Sequence, residues 1–181
     1  KFFASIDQKV LLDILNSYIL DKQIIRLLQE IIESFSTKLG VGLPLGNLTS
    51  QLLVNIYMNE FDQFVKHKLK IKYYIRYADD FVILSQDKKW LENLIFPIAN
   101  FLGEKLKLYL HPRKVFIKTI SSGIDFLGWI SFSDHRVLRT STKRRMVRRV
   151  KESSASATVN SYLGLLKHGN TKKLQKFITY S

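Results

Sequence analysis

Val10, Leu11, Ile14, Leu15 and Tyr18 fall three and four positions apart, the spacing of one helical face, and predict a helix over "QKVLLDILNSYI". Asp7 is placed to cap it and Asp21 to cap a second helix, "KQIIRLLQEIIESF". The glycine-rich "TKLGVGLPLGN" reads as a loop. Leu48, Leu52, Ile56, Phe61, Phe64 and Val65 then suggest one long helix from Asn47 to Leu69. "IKYYIRY" alternates and is rich in strand formers, and "FVILS" reads as a second, buried strand. Only Ala78, Asp79 and Asp80 separate the two, so they predict a tight hairpin. "KKWLENLIFPIANFLGEKL" has helical period with Pro97 as a kink point.

Further strands are expected at "KLYLH", "KVFIKTI", "IDFLGWISFS" and "RVLRT", and the opening "KFFASI" reads as the end of a buried strand. After Thr140 the chain turns to basic helices, "TKRRMVRRVKES" and "TVNSYLGLLKHGNTKKLQKFI". The order predicts an α+β fold, an antiparallel sheet with helices packed on one face.

Composition narrows the function classes. The chain has 181 residues, of which 46% are hydrophobic, enough for a packed core and against disorder. It has no cysteine, which excludes disulfides and cysteine–zinc sites, and its four histidines are scattered. No apolar run reaches the length of a membrane span and no signal peptide is visible, so the cytoplasm is the expected compartment. The net charge of +14 points to a polyanionic partner, and it is uneven: residues 141–181 carry ten Lys and Arg against Glu152, a net +9, leaving +5 for the rest.

The stretch "YYIRYADDFVIL" holds two adjacent carboxylates in an apolar run, an unfavourable arrangement without a cation. A divalent metal supplies one. Mg²⁺ takes one or two carboxylates together with substrate phosphates, and a pair of such ions clamps both oxygens of a phosphoryl transfer. A solvated turn stays open beside this reading, because Asp is a common turn residue. Gly46 before a helix start bearing Asn47, Thr49, Ser50 and Gln51 allows close approach of a polar or anionic ligand, or serves only as a helix start.

"YADD" in a strand–turn–strand, preceded by "LGNLTSQLLVNIY" and followed by "LYLHPRK" and "FLGW", resembles the reverse transcriptases over nearly the whole chain. The resemblance implies a polymerase palm over residues 1–139 and a partial thumb over 140–181. It implies Asp79 as a metal ligand with Asp80 its weaker partner, and Lys114 as a general acid for pyrophosphate. Phe3, Leu45, Gly46, Gln51 and Tyr77 would border the incoming nucleotide, with Phe3 screening the sugar 2′ position. Asn47 and Ser50 would touch the template, Phe126, Leu127, Gly128 and Trp129 would form the primer grip, and Arg144 and Arg145 would hold the duplex. The implied cofactor is a pair of Mg²⁺ ions, and the implied partners are an RNA template, a DNA primer and deoxynucleotides, with no membrane.

Two departures sharpen this. Leu45-Gly46 with Ser50-Gln51, where most of the family has Gln-Gly and Ser-Pro, looks like the enzymes of diversity-generating retroelements; group II intron, retron and orphan bacterial enzymes stay open. If the retroelement likeness holds, an accessory protein on the basic face is a further implied partner. The family's first aspartate would stand three residues before Lys1, so the sequence reads as N-terminally truncated, and as given it is expected not to polymerise. The alternative is a non-catalytic nucleic-acid-binding relic. A diguanylate-cyclase-like palm shares the carboxylate hairpin but leaves "FLGW" and "LGNLTSQ" unexplained.

Overall fold

The computed structural model describes residues 2–44, 46–152 and 156–179. What was expected of Leu45 lies outside the described residues, as do residues 153–155 between the basic helices. The chain divides into two compact units, Lys1–Ile117 and Lys118–Ser181.

In the first unit, helices α1 (Gln8–Tyr18), α2 (Lys22–Glu33), α3 (Leu48–Gln63) and α4 (Lys88–Leu106) surround one hydrophobic core. The first two begin where polar capping dictates: the Asp7 carboxylate accepts from the Val10 N–H, and that of Asp21 from Gln23 and Ile24. α3 runs on through a π-helical turn, Phe64–Lys68, making the long helix expected. Its buried face differs from the expected one. Leu48 and Leu52 are exposed, while Ser50, Leu53, Val54, Tyr57, Met58 and Phe61 are inside. The Tyr57 hydroxyl donates to the Leu106 carbonyl at 2.6 Å and ties α3 to the end of α4. Pro97 lies within α4, which continues past it.

Strands β1 (Tyr74–Tyr77) and β2 (Asp80–Ile83) pair antiparallel in a two-stranded sheet. β2 is half-buried rather than buried, because only one face of the hairpin meets the core. "KFFASI" is not a strand: Phe2–Ser5 is a 3₁₀ turn, with the Ser5 hydroxyl bonded back to the Phe2 carbonyl at 2.8 Å. Residues 107–119 are not strands either. Leu108 and Leu110 turn inward between exposed neighbours, so the alternation is real, but no described strand supplies a ladder.

In the second unit, β3 (Ile124–Phe126), β4 (Trp129–Ser131) and β5 (Arg136–Leu138) form an antiparallel meander. The expected single strand over "IDFLGWISFS" is therefore a hairpin, with Leu127-Gly128 as its turn. Helices α5 (Thr140–Glu152), α6 (Ser156–Leu166) and α7 (Lys172–Thr179) follow. They bury Met146, Val150, Leu166 and Ile178 with Trp129 and Leu138. The fold is α+β, with its strands in two separate antiparallel sheets.

Candidate active site

The β1–β2 hairpin has the register Tyr77↔Asp80, which leaves Ala78-Asp79 as a two-residue turn. Alternation puts Tyr74, Arg76, Phe81 and Ile83 on the inward face and Ile75, Tyr77, Asp80 and Val82 on the outward one. Phe61 of α3 holds the inward face, its ring edge-on to Phe81 at 5.1 Å and to Tyr74 at 6.1 Å. The turn thus projects Asp79 from its tip and Asp80 beside Tyr77, and both carboxylates are exposed.

An inward polar cluster supports the turn, and nothing in the motif spacing announces it. Arg76 Nε and Nη2 donate to the two oxygens of Asp62 at 2.8 and 2.6 Å, while Nη1 donates to the Ala78 carbonyl at 2.9 Å. The Tyr74 hydroxyl donates to Asp62 Oδ1 at 2.6 Å. Asp62 hydrogen bonding raises the Arg76 pKa, and burial first, then the Asp62 carboxylate, raises that of the Tyr74 phenol. Ala78 has φ +51°, at the first turn position, which glycine usually fills when φ is positive. A left-handed alanine costs about 1–2 kcal/mol. A hydrogen bond from a charged donor contributes about 1.5–3 kcal/mol, so the Arg76 bond to this residue's carbonyl is large enough to offset it.

Among the described residues neither Asp79 nor Asp80 has an ion-pair or side-chain hydrogen-bond partner, and no group of three or more His, Cys, Asp or Glu converges on a metal position. Two hard, exposed oxygen donors fit Mg²⁺, which keeps waters and phosphates in its remaining positions, but they form an incomplete set for a pair of ions.

The start of α3 is held from behind. Gln8, 5% exposed, donates through Nε2 to the carbonyls of Ile32, Phe35 and Gly42 at 3.0, 2.7 and 2.9 Å. Backbone bonds Gly42 N–H to Ile6 O and Leu43 N–H to Phe3 O, at 2.8 and 2.9 Å, lay the loop along the opening turn and bring Phe3 to it. Gly46 has φ +90° and open space where a Cβ would stand, so conformation rather than room requires glycine. Asn47 is the N-cap residue, without a side-chain capping bond, and it and Gln51 are exposed. Ser50 is 1% exposed, so its side chain faces the core. Lys114 lies in the irregular segment, on a turn closed by its own N–H to the His111 carbonyl at 2.8 Å.

In the second unit Leu127 (φ +54°) and Gly128 (φ +82°) make the hairpin turn with positive φ at both positions, the type that matches strand twist. Leu127 is exposed at the tip, while Trp129 is buried, with the Arg136 guanidinium 5.2 Å from its ring centre. Leu127, Gly128 and Trp129 share an open cleft of about 460 Å³ with Ser141, Thr142 and Arg145. Arg144 borders a different groove of α5, with Lys143, Val147, Arg148 and Lys151. The two adjacent arginines therefore serve different sides of one helix.

Sequence reasoning missed Gln8, Asp62, Tyr74 and Arg76. The available signal was polarity in the wrong place: Asp62 sits between Phe61 and Phe64, and Arg76 alternates with outward-facing Ile75 and Tyr77.

A profile of the reverse transcriptase (RNA-dependent DNA polymerase) family matches residues 1–131. The group II intron-encoded protein LtrA of Lactococcus lactis subsp. cremoris is 24% identical, covering 97% of this chain and 39% of its own length. Protein YkfC of Escherichia coli is 25% identical over 91% of the chain and 52% of itself. The putative COX1/OXI3 intron 2 protein of Saccharomyces cerevisiae is 23% identical over 71% of the chain and 22% of itself. The chain thus spans from about a fifth to about a half of the length of these relatives. Among its described residues no helix is long and apolar enough to cross a membrane. With the profile spanning most of the chain, and with one carboxylate at the tip of a tight antiparallel hairpin and the other beside it at the start of β2, the chain belongs to the reverse transcriptase family.

Proposed function

We propose that the chain supplies the carboxylate hairpin and part of the nucleic-acid surface for RNA-templated DNA synthesis in the cytoplasm, in the manner of group II intron-like enzymes. The observation that carries this is the pair Asp79 and Asp80, exposed and without an ion-pair partner among the described residues, on a turn that Arg76 braces. Asp79 and Asp80 would hold Mg²⁺, which when bound lowers the barrier to attack of a primer hydroxyl on a nucleotide α-phosphate. Tyr77 and Phe3 border the nucleotide, Phe3 screening the 2′ position, and Lys114 donates a proton to leaving pyrophosphate. Gly46, Asn47 and Gln51 meet the forming base pair and template, a role in which the exposed Gln51 replaces the buried Ser50. Phe126 to Trp129 hold the primer end, and Arg144 and Arg145 the duplex backbone. Functionally the palm runs to residue 139 and the thumb from 140, although β3–β5 pack with the helices that follow them. The Ser50-Gln51 pattern favours a diversity-generating retroelement, and with it an accessory protein.

The incomplete donor set favours a second reading for the isolated chain, nucleic-acid binding without chemistry. The test starts with the DNA upstream of the Lys1 codon. If the open frame encodes an aspartate three residues before Lys1, the longer chain is expected to extend a DNA primer on RNA with Mg²⁺, and Asp79→Ala to abolish it. Salt-sensitive binding with no extension by the longer chain would leave the binding reading standing alone.

A further inference from the structure

The chemistry proposed above makes no use of Arg76, yet its side chain is only 9% exposed and every donor group of its fork is engaged. We infer that Arg76 is a positioning residue for the carboxylate turn: it sets the direction of Asp79 through the Ala78 carbonyl, with Asp62 and Tyr74 as its fixed support. This rests on the reading of Asp79 and Asp80 as metal ligands.

The Ala78 carbonyl belongs to the same planar peptide as the Asp79 N–H. Fixing that oxygen fixes the peptide plane, and with it the N–Cα bond of Asp79 about which its side chain is set. A guanidinium is flat and rigid, so its bonds to Asp62 and to Ala78 lock the turn to a point on α3. Tyr74, donating to Asp62 Oδ1, denies that carboxylate a swing away from the fork. The support is needed because Ala78 holds φ +51°, a conformation that persists in a non-glycine residue when its surroundings over-determine it. The same helix that anchors the turn through Asp62 presents Gln51 in its first turn, so α3 is one frame for both motifs.

Lysine keeps the charge and much of the apolar stem but lacks the fork. In Arg76→Lys of the 181-residue chain, the amide–Hα coupling and Cβ shift that mark positive φ at Ala78 are expected to disappear, while the resonances of buried Leu53, Val54 and Leu102 stay in place. The Mn²⁺ concentration that broadens the Asp79 and Asp80 amides should rise about 10-fold, as for loss of an outer partner of a metal ligand. Asp62→Asn should move both readouts in the same direction. A positive-φ signature unchanged in both variants overturns the inference. So does unfolding of both, which would make the pair a general support of the fold. Should Arg76→Lys alone unfold the chain, Asp62→Asn decides by the same signature. If Mn²⁺ fails to broaden Ala78–Phe81 selectively in the unaltered chain, the metal reading fails, and the Ala78 signature still decides the role of Arg76.

Discussion

Gln8 Nε2 donates to the Gly42 carbonyl at 2.9 Å, joining the first turn of α1 to the loop that leads into α3. The same nitrogen serves the carbonyls of Ile32 and Phe35 at the end of α2. One buried amide therefore sets where three segments meet, and the exposed start of α3 depends on it.

Replacing Gln8 with leucine keeps the bulk and removes the donor. Buried carbonyls at Ile32 and Gly42 are then left without it, and each orphaned group costs about 1–3 kcal/mol. A loss of about 3 kcal/mol is expected, read as a lower denaturant midpoint with unchanged slope. A shift within a few tenths of a kcal/mol would mean that the loop finds other donors.

Alkali should weaken the first unit. Burial first raises the phenols of both Tyr57 and Tyr74 above their ordinary value of 10.0. A folded-state pKa above the unfolded one means that the folded chain holds the proton longer. That stability is complete below pH 10 and is lost as the pH climbs from there toward the folded values. Thermal midpoints should be flat from pH 8 to 10 and fall above it, and Tyr74→Phe should flatten the fall. An unchanged fall in the double variant with Tyr57→Phe would place its cause elsewhere.

Binding to an RNA–DNA hybrid should be salt-dependent and shared by both sides of α5. Arg144→Ala and Arg145→Ala should each lower the slope of log affinity against log salt by about 1, the signature of one lost phosphate contact. Because the two residues border different grooves, the double variant should lose about 2. If only Arg145 moves the slope, the duplex lies on the Leu127–Gly128 side alone.

Gly169 is pressed against Trp129. A Cβ there would run into the Trp129 indole and stand 3.0 Å from the Arg136 carbonyl. Gly169→Ala must displace a buried indole, and a destabilisation of about 2 kcal/mol is expected from overpacking of this kind. Loss of the Trp129 fluorescence environment at lower denaturant would report it, and an unchanged unfolding curve would show that the indole has room to move.

The sequence made the helices and the carboxylate hairpin legible because their signals are local: caps at Asp7 and Asp21, period in α1 and α2, alternation in "IKYYIRY". It failed where the outcome depends on distant partners. "KLYLH" alternates but meets no neighbouring strand among the described residues, and "FLGW" looks continuous until Leu127 and Gly128 both adopt positive φ. Leu48 and Leu52 carry the right residue type on the wrong side of α3, because the core chose Leu53, Val54 and Tyr57. The carboxylates could be named from their motif. Their brace could not, since Asp62 and Arg76 are fourteen residues apart and are joined only when Phe61 packs under the hairpin.

Among the described residues the hairpin pairs only with itself, and its outward face exposes Ile75 and Tyr77 beside the carboxylates. A strand edge without a partner is a template for another chain, and the apolar side chains would reward the encounter. The net charge of +14 sets copies of the chain against one another, and salt shortens the range of that repulsion. Raising the ionic strength to strip nucleic acid from this protein therefore also weakens the repulsion between its copies, so the exposed Ile75 and Tyr77 meet a second copy with less opposition.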